Sequence, residues 1–118
     1  MKQTARNKRM TRHKRIRARV WGTAERPRLA VSRSNRHIAL QLIDDVARKT
    51  IAYASDKEDA IKAKGEKPVE IARMVGTLLA EKAKAKKVTS AIFDRGGYKY
   101  HGRVKSAAEG ARSGGLEF

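Results

Sequence analysis

Between Pro27 and Ala54 apolar and polar residues alternate in three short runs separated by turn residues, and this period of two predicts a meander of antiparallel strands. Arg28-Leu29-Ala30-Val31-Ser32-Arg33 is the first run, Ser34-Asn35-Arg36 supplies turn chemistry, and His37-Ile38-Ala39-Leu40-Gln41-Leu42-Ile43 is the second. Asp44-Asp45 opens another turn, and Lys49-Thr50-Ile51-Ala52-Tyr53-Ala54 is the third run. Successive strand side chains point to opposite faces. Leu29, Val31, Ile38, Leu40, Leu42, Ile51 and Tyr53 are therefore expected on the core face. Arg28, Ala30, Ser32, Ser34, His37, Ala39, Gln41, Thr50, Ala52 and Ala54 are expected on the other.

From Pro68 the period changes to that of a helix, with Ile71, Ala72, Val75, Leu78, Leu79 and Ala83 on one stripe and the proline suited to the first turn. Gly76 interrupts the stripe at a cost of about 1 kcal/mol relative to alanine, which marks close packing, expected here against the sheet. Lys82, Lys84, Lys86 and Lys87 complement the dipole at the end of this helix. Val88 to Asp94 reads as a fourth strand, and the right-handed crossover rule makes it a parallel addition. A glycine-rich loop follows, then Val104, Ala107, Ala108 and Ala111 at helical spacing, ending at Gly114-Gly115. The expected order is β-β-β-α-β-α, an α/β fold around a mixed four-stranded sheet.

Charge changes the picture at the N-terminal end. Thirteen of the first 36 residues are Lys or Arg against one carboxylate, Glu25, a surplus of twelve within a formal net charge of +17. Such repulsion is relieved by a polyanion, with release of its counterions. Residues 1–24 read as a basic RNA-binding extension, largely disordered alone but rich in helix formers and expected to turn helical as phosphates neutralise it, and residues 25–118 as a single α/β RNA-binding domain. Trp21 is expected at the edge of the core, where the extension joins the body. The chain has no cysteine and no apolar run long enough to span a membrane, which fits a soluble, cytosolic protein. A membrane-surface or acidic-protein tether is the rival reading of the basic segment, and it leaves the glycine-rich loop unexplained.

That loop, Asp94-Arg95-Gly96-Gly97-Tyr98-Lys99-Tyr100-His101-Gly102-Arg103, lies between a strand end and a helix start, where backbone N–H groups favour anions. It lacks the Gly-Lys-Ser/Thr ending of a phosphate-binding loop and the acidic residue of a dinucleotide site. His13, His37 and His101 fall in three separate segments, and no base, nucleophile and orienting group cluster, so catalysis is not expected. Asp44 and Asp45 are read as turn residues, and Asp94 as a partner of Arg95 or Arg103, so no metal site or cofactor is implied. Cations, two tyrosines and a histidine together match the phosphate contacts and stacking platforms of RNA recognition; Tyr98 and Tyr100 could also simply cover the core.

Arg33-Ser34-Asn35-Arg36-His37-Ile38, the block from Phe93-Asp94-Arg95-Gly96-Gly97 through His101-Gly102-Arg103-Val104, and the final Gly115-Leu116-Glu117-Phe118 together resemble bacterial-type large-subunit ribosomal protein eighteen. The resemblance covers nearly the whole chain and implies two helices on one face of the sheet. It also implies binding to 5S rRNA and attachment of that RNA to 23S rRNA in the central protuberance of a bacterial, chloroplast or mitochondrial ribosome, beside neighbouring large-subunit proteins, with no small-molecule substrate, no membrane and no catalysis. The expected RNA contacts are Arg6, Lys8, Arg9, Arg12, His13, Lys14, Arg15, Arg17 and Arg19 in the extension. To these are added Arg28, Ser32, Arg33, Ser34, Asn35, Arg36, His37 and Gln41 in the hairpin, and Arg95, Gly96, Gly97, Tyr98, Lys99, Tyr100, His101, Gly102 and Arg103 in the loop. Ala39 stands where the family pattern places a tyrosine, which removes stacking at that position and leaves Gln41.

Overall fold

The computed structural model describes residues 5–62 and 67–118. Its elements run α1 (Ala5–Arg17), β1 (Arg28–Arg33), β2 (Ile38–Asp44), β3 (Lys49–Ser55), α2 (Asp59–Lys62), α3 (Pro68–Ala85), β4 (Ile92–Asp94) and α4 (Gly102–Ser113). The sheet order is β3-β2-β1-β4, antiparallel except for the β1–β4 pair, so the expected meander and parallel crossover are both present. The Asp44 carboxylate accepts the Val46 and Ala47 amides at 3.0 and 3.1 Å, fixing the turn into β3. β4 is shorter than the apolar run that predicted it. Residues just before it pair instead with the C-terminal segment, where the Ala91 amide donates to the Glu117 carbonyl and the Glu117 amide to that of Thr89.

One face of the third strand is reversed from expectation. Leu40 pairs with Ala54 and Leu42 with Ala52, while Ile43 pairs with Thr50, so Ile51 is an extra residue at a bulge. Ala52 and Ala54 consequently enter the core and Tyr53 points outward, 47% exposed. Period two places Ile51 and Tyr53 inside; Ile51 does pack partly buried against the core, Tyr53 does not, and alanines opposite Leu40 and Leu42 let α3 close against the sheet through Ala72, Val75, Leu79 and Ala83, all fully buried.

Gly76 is likewise buried against a different element from the one expected. A methyl group there would sit 2.0 Å from the Ala107 carbonyl oxygen, so the glycine lets α4 cross α3 at backbone contact and does not face the sheet. α2 was not anticipated. Its signal is Ser55-x-x-Glu58, in which Glu58 accepts the Ser55 amide at 2.7 Å and the Ser55 hydroxyl accepts the Lys57 amide at 3.2 Å. Lys82, expected only to complement the α3 dipole, also pairs with Glu58 and donates to the Tyr53 carbonyl at 2.8 Å. Trp21 is 59% exposed, with the Arg17 guanidinium 6.0 Å from its ring, because Gly22 rather than the indole is the residue buried against β1 and β2. No helix among the described residues is long and apolar enough to cross a membrane.

Candidate nucleic-acid interface

Within the basic segment, Ala5–Arg17 form a helix, α1, that rests on the body. Arg9, Arg12, His13, Ile16 and Arg17 recur at spacings of three and four and form a half-buried face. Arg9 donates to the Gly96 carbonyl at 3.1 Å and Arg12 to the Gly97 carbonyl at 2.9 Å, while His13 Nε2 stands 3.5 Å from Asp94 and Arg17 3.6 Å from Asp45. A polar stripe thus does what an apolar stripe usually does. Arg6, Lys8, Lys14, Arg15 and Arg19 remain exposed on the outside. Lys2 lies outside the described residues.

The loop accepts this helix because of its glycines. Gly96 and Gly97 hold φ of +67° and +78°, and a methyl group on Gly97 would lie 2.4 Å from the Arg9 carbonyl, so α1 rests directly on the loop backbone. Tyr98 follows. Its hydroxyl donates to the Arg33 carbonyl at 3.0 Å, and the guanidinium groups of Arg9 and Arg33 lie 4.7 and 5.0 Å from its ring. The ring therefore ties extension, hairpin and loop together.

Beneath the loop, Arg28 is not an open cation. It grips Asp45 through two hydrogen bonds of 3.0 and 3.1 Å and Asp94 through one of 2.8 Å, and its side chain is 11% exposed. Burial opposes its charge, but these carboxylates outweigh burial and hold its pKa above the usual arginine value. Burial pushes the Asp45 carboxyl up, yet the Arg28 hydrogen bond, the Gly22 amide and the charges of Arg28 and Arg17 together hold it below the usual range. Arg28, expected to touch RNA, thus positions the site. Asp94, expected to pair with Arg95 or Arg103, takes Arg28 and the Gly96 amide instead.

The hairpin turn is fixed from the other side, where Arg103 donates to the Ser34 carbonyl at 2.8 Å and to that of Asn35 at 3.5 Å. His37 stands 3.2 Å from Asp56. Ser32, Arg36, Lys99 and His101 are exposed, Arg95 is half-buried, and Gly102 turns the chain into α4 at a φ of +53°. Tyr100 stands edge-on to Phe93, and its hydroxyl accepts from Arg112 at 3.0 Å. Gln41 lies on the open sheet face, its side-chain oxygen accepting from Thr50 at 3.1 Å.

These segments, more than 60 residues apart in sequence at the Arg33–Tyr98 contact, converge on one open groove of ≈ 460 Å³. Arg6, Arg9 and Arg12 form one wall, Arg33, Ser34 and Asn35 another, and Tyr98, Lys99 and His101 the third. No carboxylate among the described residues lines it, so it presents guanidinium, ammonium, imidazole and amide groups to an anionic strand. No cluster of His, Cys, Asp or Glu among the described residues could hold a metal ion.

A profile of the family described as ribosomal L18 of archaea, bacteria, mitochondria and chloroplast matches residues 3–118. A large ribosomal subunit protein uL18 from Thermomicrobium roseum is 52% identical over 113 residues, covering 93% of this chain and 91% of its own length. The protein of the same name from Thermotoga petrophila is 49% identical over 119 residues, covering 99% and 98%. That from Lysinibacillus sphaericus is 52% identical over 117 residues, with the same coverage of 99% and 98%. The chain belongs to the ribosomal L18 family, a family of non-enzymatic proteins of the large ribosomal subunit.

Proposed function

We propose that this ribosomal protein binds 5S rRNA and helps attach it to 23S rRNA in the central protuberance, next to other large-subunit proteins. In this reading residues 1–24 are a basic RNA-binding extension and residues 25–118 one RNA-binding domain. The observation that carries it is the groove in which extension, hairpin turn and loop meet, lined by cations and by no carboxylate among the described residues. The relatives are bacterial, and the chain's place of work is the ribosome in the cytoplasm.

The mechanism is electrostatic positioning with shape recognition. Exposed cations neutralise phosphates, while fixed backbone and side-chain groups around the groove meet sugars and unstacked bases of an irregular RNA surface. Engagement of roughly 6 to 10 phosphates gives a log-log salt slope on the order of −5 to −8.

The test is titration of 5S rRNA and a length-matched control RNA at several salt concentrations, with the full chain and with a version starting at Thr23. The full chain is expected to show the steep slope and to prefer 5S rRNA. Truncation flattens the slope while the body keeps the preference. Equal binding of both RNAs by the full chain, or a slope near zero, refutes the proposal.

A further inference from the structure

The open face of the sheet carries a second feature that the groove does not use. Tyr53 stands there 47% exposed, on a strand whose neighbouring alanines are buried. The bulge at Ile51 sets that orientation. Gln41 is its direct cross-strand partner, and Ala39 and Ser32, which pair with each other, make the next row across the sheet. An exposed ring therefore lies beside a shelf of short side chains.

The shelf is the floor of a hollow of ≈ 210 Å³, with Arg33, His37 and Lys57 at its margin. Arg33 and Ser34 line both this hollow and the groove beneath α1, so the two form one continuous surface across the hairpin turn. Two exposed cations and an aromatic face are the combination that holds a single nucleotide, the cations taking phosphate and the ring taking the base. Beside Tyr53, outside the hollow's lining, the Gln41 side-chain oxygen accepts from Thr50.

We infer that Tyr53 is a stacking platform for an unpaired base of the bound RNA, seated in the hollow between β1, β2 and β3, and that the RNA strand continues from the groove past Arg33 onto the sheet. The inference rests on the RNA-binding reading above and adds a contact to it. Stacking is not ionic, so its contribution separates from that of the cations by its salt dependence.

The experiment compares the full chain with Tyr53→Phe and Tyr53→Ala, titrating 5S rRNA at several salt concentrations, with the thermal transition of each variant recorded. Ultraviolet cross-linking of the unmodified chain to 5S rRNA, read by mass spectrometry, provides a measurement that needs no substitution. Tyr53→Ala is expected to weaken binding about 5- to 100-fold with an unchanged salt slope, which is the range for loss of one stacked base. Tyr53→Phe keeps the ring and wild-type affinity, and the cross-link joins Tyr53 to a nucleotide. If the unmodified chain prefers 5S rRNA with a steep slope, while Tyr53→Ala binds equally well and no cross-link forms at Tyr53, the platform is overturned and the RNA-binding reading stands. If the unmodified chain shows no such preference, both fall together.

Discussion

Tyr98 completes the backbone of Arg33: its phenol oxygen donates to the Arg33 carbonyl at 3.0 Å and accepts the Arg33 amide at 3.3 Å. β4 reaches only as far as Ala30 on β1, so the far end of β1 has no strand on that side. The tyrosine hydroxyl stands in for the missing strand, serving one donor and one acceptor that an edge leaves open.

Tyr98→Phe is therefore expected to lower folding stability by about 1 to 2 kcal/mol, the sum for two modest hydrogen bonds in a half-exposed place. Urea denaturation followed by circular dichroism measures it. The aromatic face survives the change, so the affinity for 5S rRNA should fall only through looser placement of Arg33, with the salt slope unaltered.

Acid should weaken the protein at the Asp45–Arg28 contact. The Asp45 carboxyl is held below the usual aspartate range, so its contribution is fully present above about pH 4, where the unfolded side chain is ionised, and is lost as the pH falls through the depressed value. In Asp45→Asn the stability curve should flatten in that acid window. Arg28→Ala should cost about 3 to 5 kcal/mol at neutral pH, because it strips a buried guanidinium from Asp94, whose side chain is 1% exposed. Denaturant midpoints across a pH series check both.

Gly76→Ala sets a gain in helix propensity of about 1 kcal/mol against a methyl group 2.0 Å from the Ala107 carbonyl oxygen. Backbone cannot swing aside as a side chain can, so the two helices must separate. A net loss of about 1 to 3 kcal/mol is expected, seen as a lowered thermal transition.

Cations of α1 should divide into two groups. Alanine at Lys8, Lys14 or Arg15, which are exposed, should reduce the magnitude of the salt slope by about 1 each and leave the thermal transition in place. Alanine at Arg9 or Arg12 removes a hydrogen bond to the Gly96 or Gly97 carbonyl and should speed amide hydrogen exchange in α1. Equal effects of both groups on exchange would show that the helix does not dock as described.

The meander, the crossover helix and the parallel fourth strand were legible because turn residues and hydrophobic period agree at each of them. The third strand was only partly so, since a bulge breaks the period at Ile51, which stays against the core while Ala52 and Ala54 turn inward and Tyr53 outward. Gly76 announced a close approach without saying to what, because the partner, Ala107, lies 31 positions on and only the tertiary fold brings it near. The docking of α1 was present in the spacing of Arg9, Arg12, His13, Ile16 and Arg17, yet a polar stripe is invisible to a search for hydrophobic ones. Composition picked out the three segments of the groove; their meeting depends on Asp45 and Asp94, which looked in the sequence like ordinary turn and strand-end carboxylates.

The seat of α1 is assembled from residues that follow it in the chain by 85 and 87 positions. During synthesis the cationic helix leaves the exit tunnel well before Gly96 and Gly97 exist to receive it. Any anionic surface nearby competes for it throughout that interval, and the newborn polypeptide is then held by its charge before it is held by its fold.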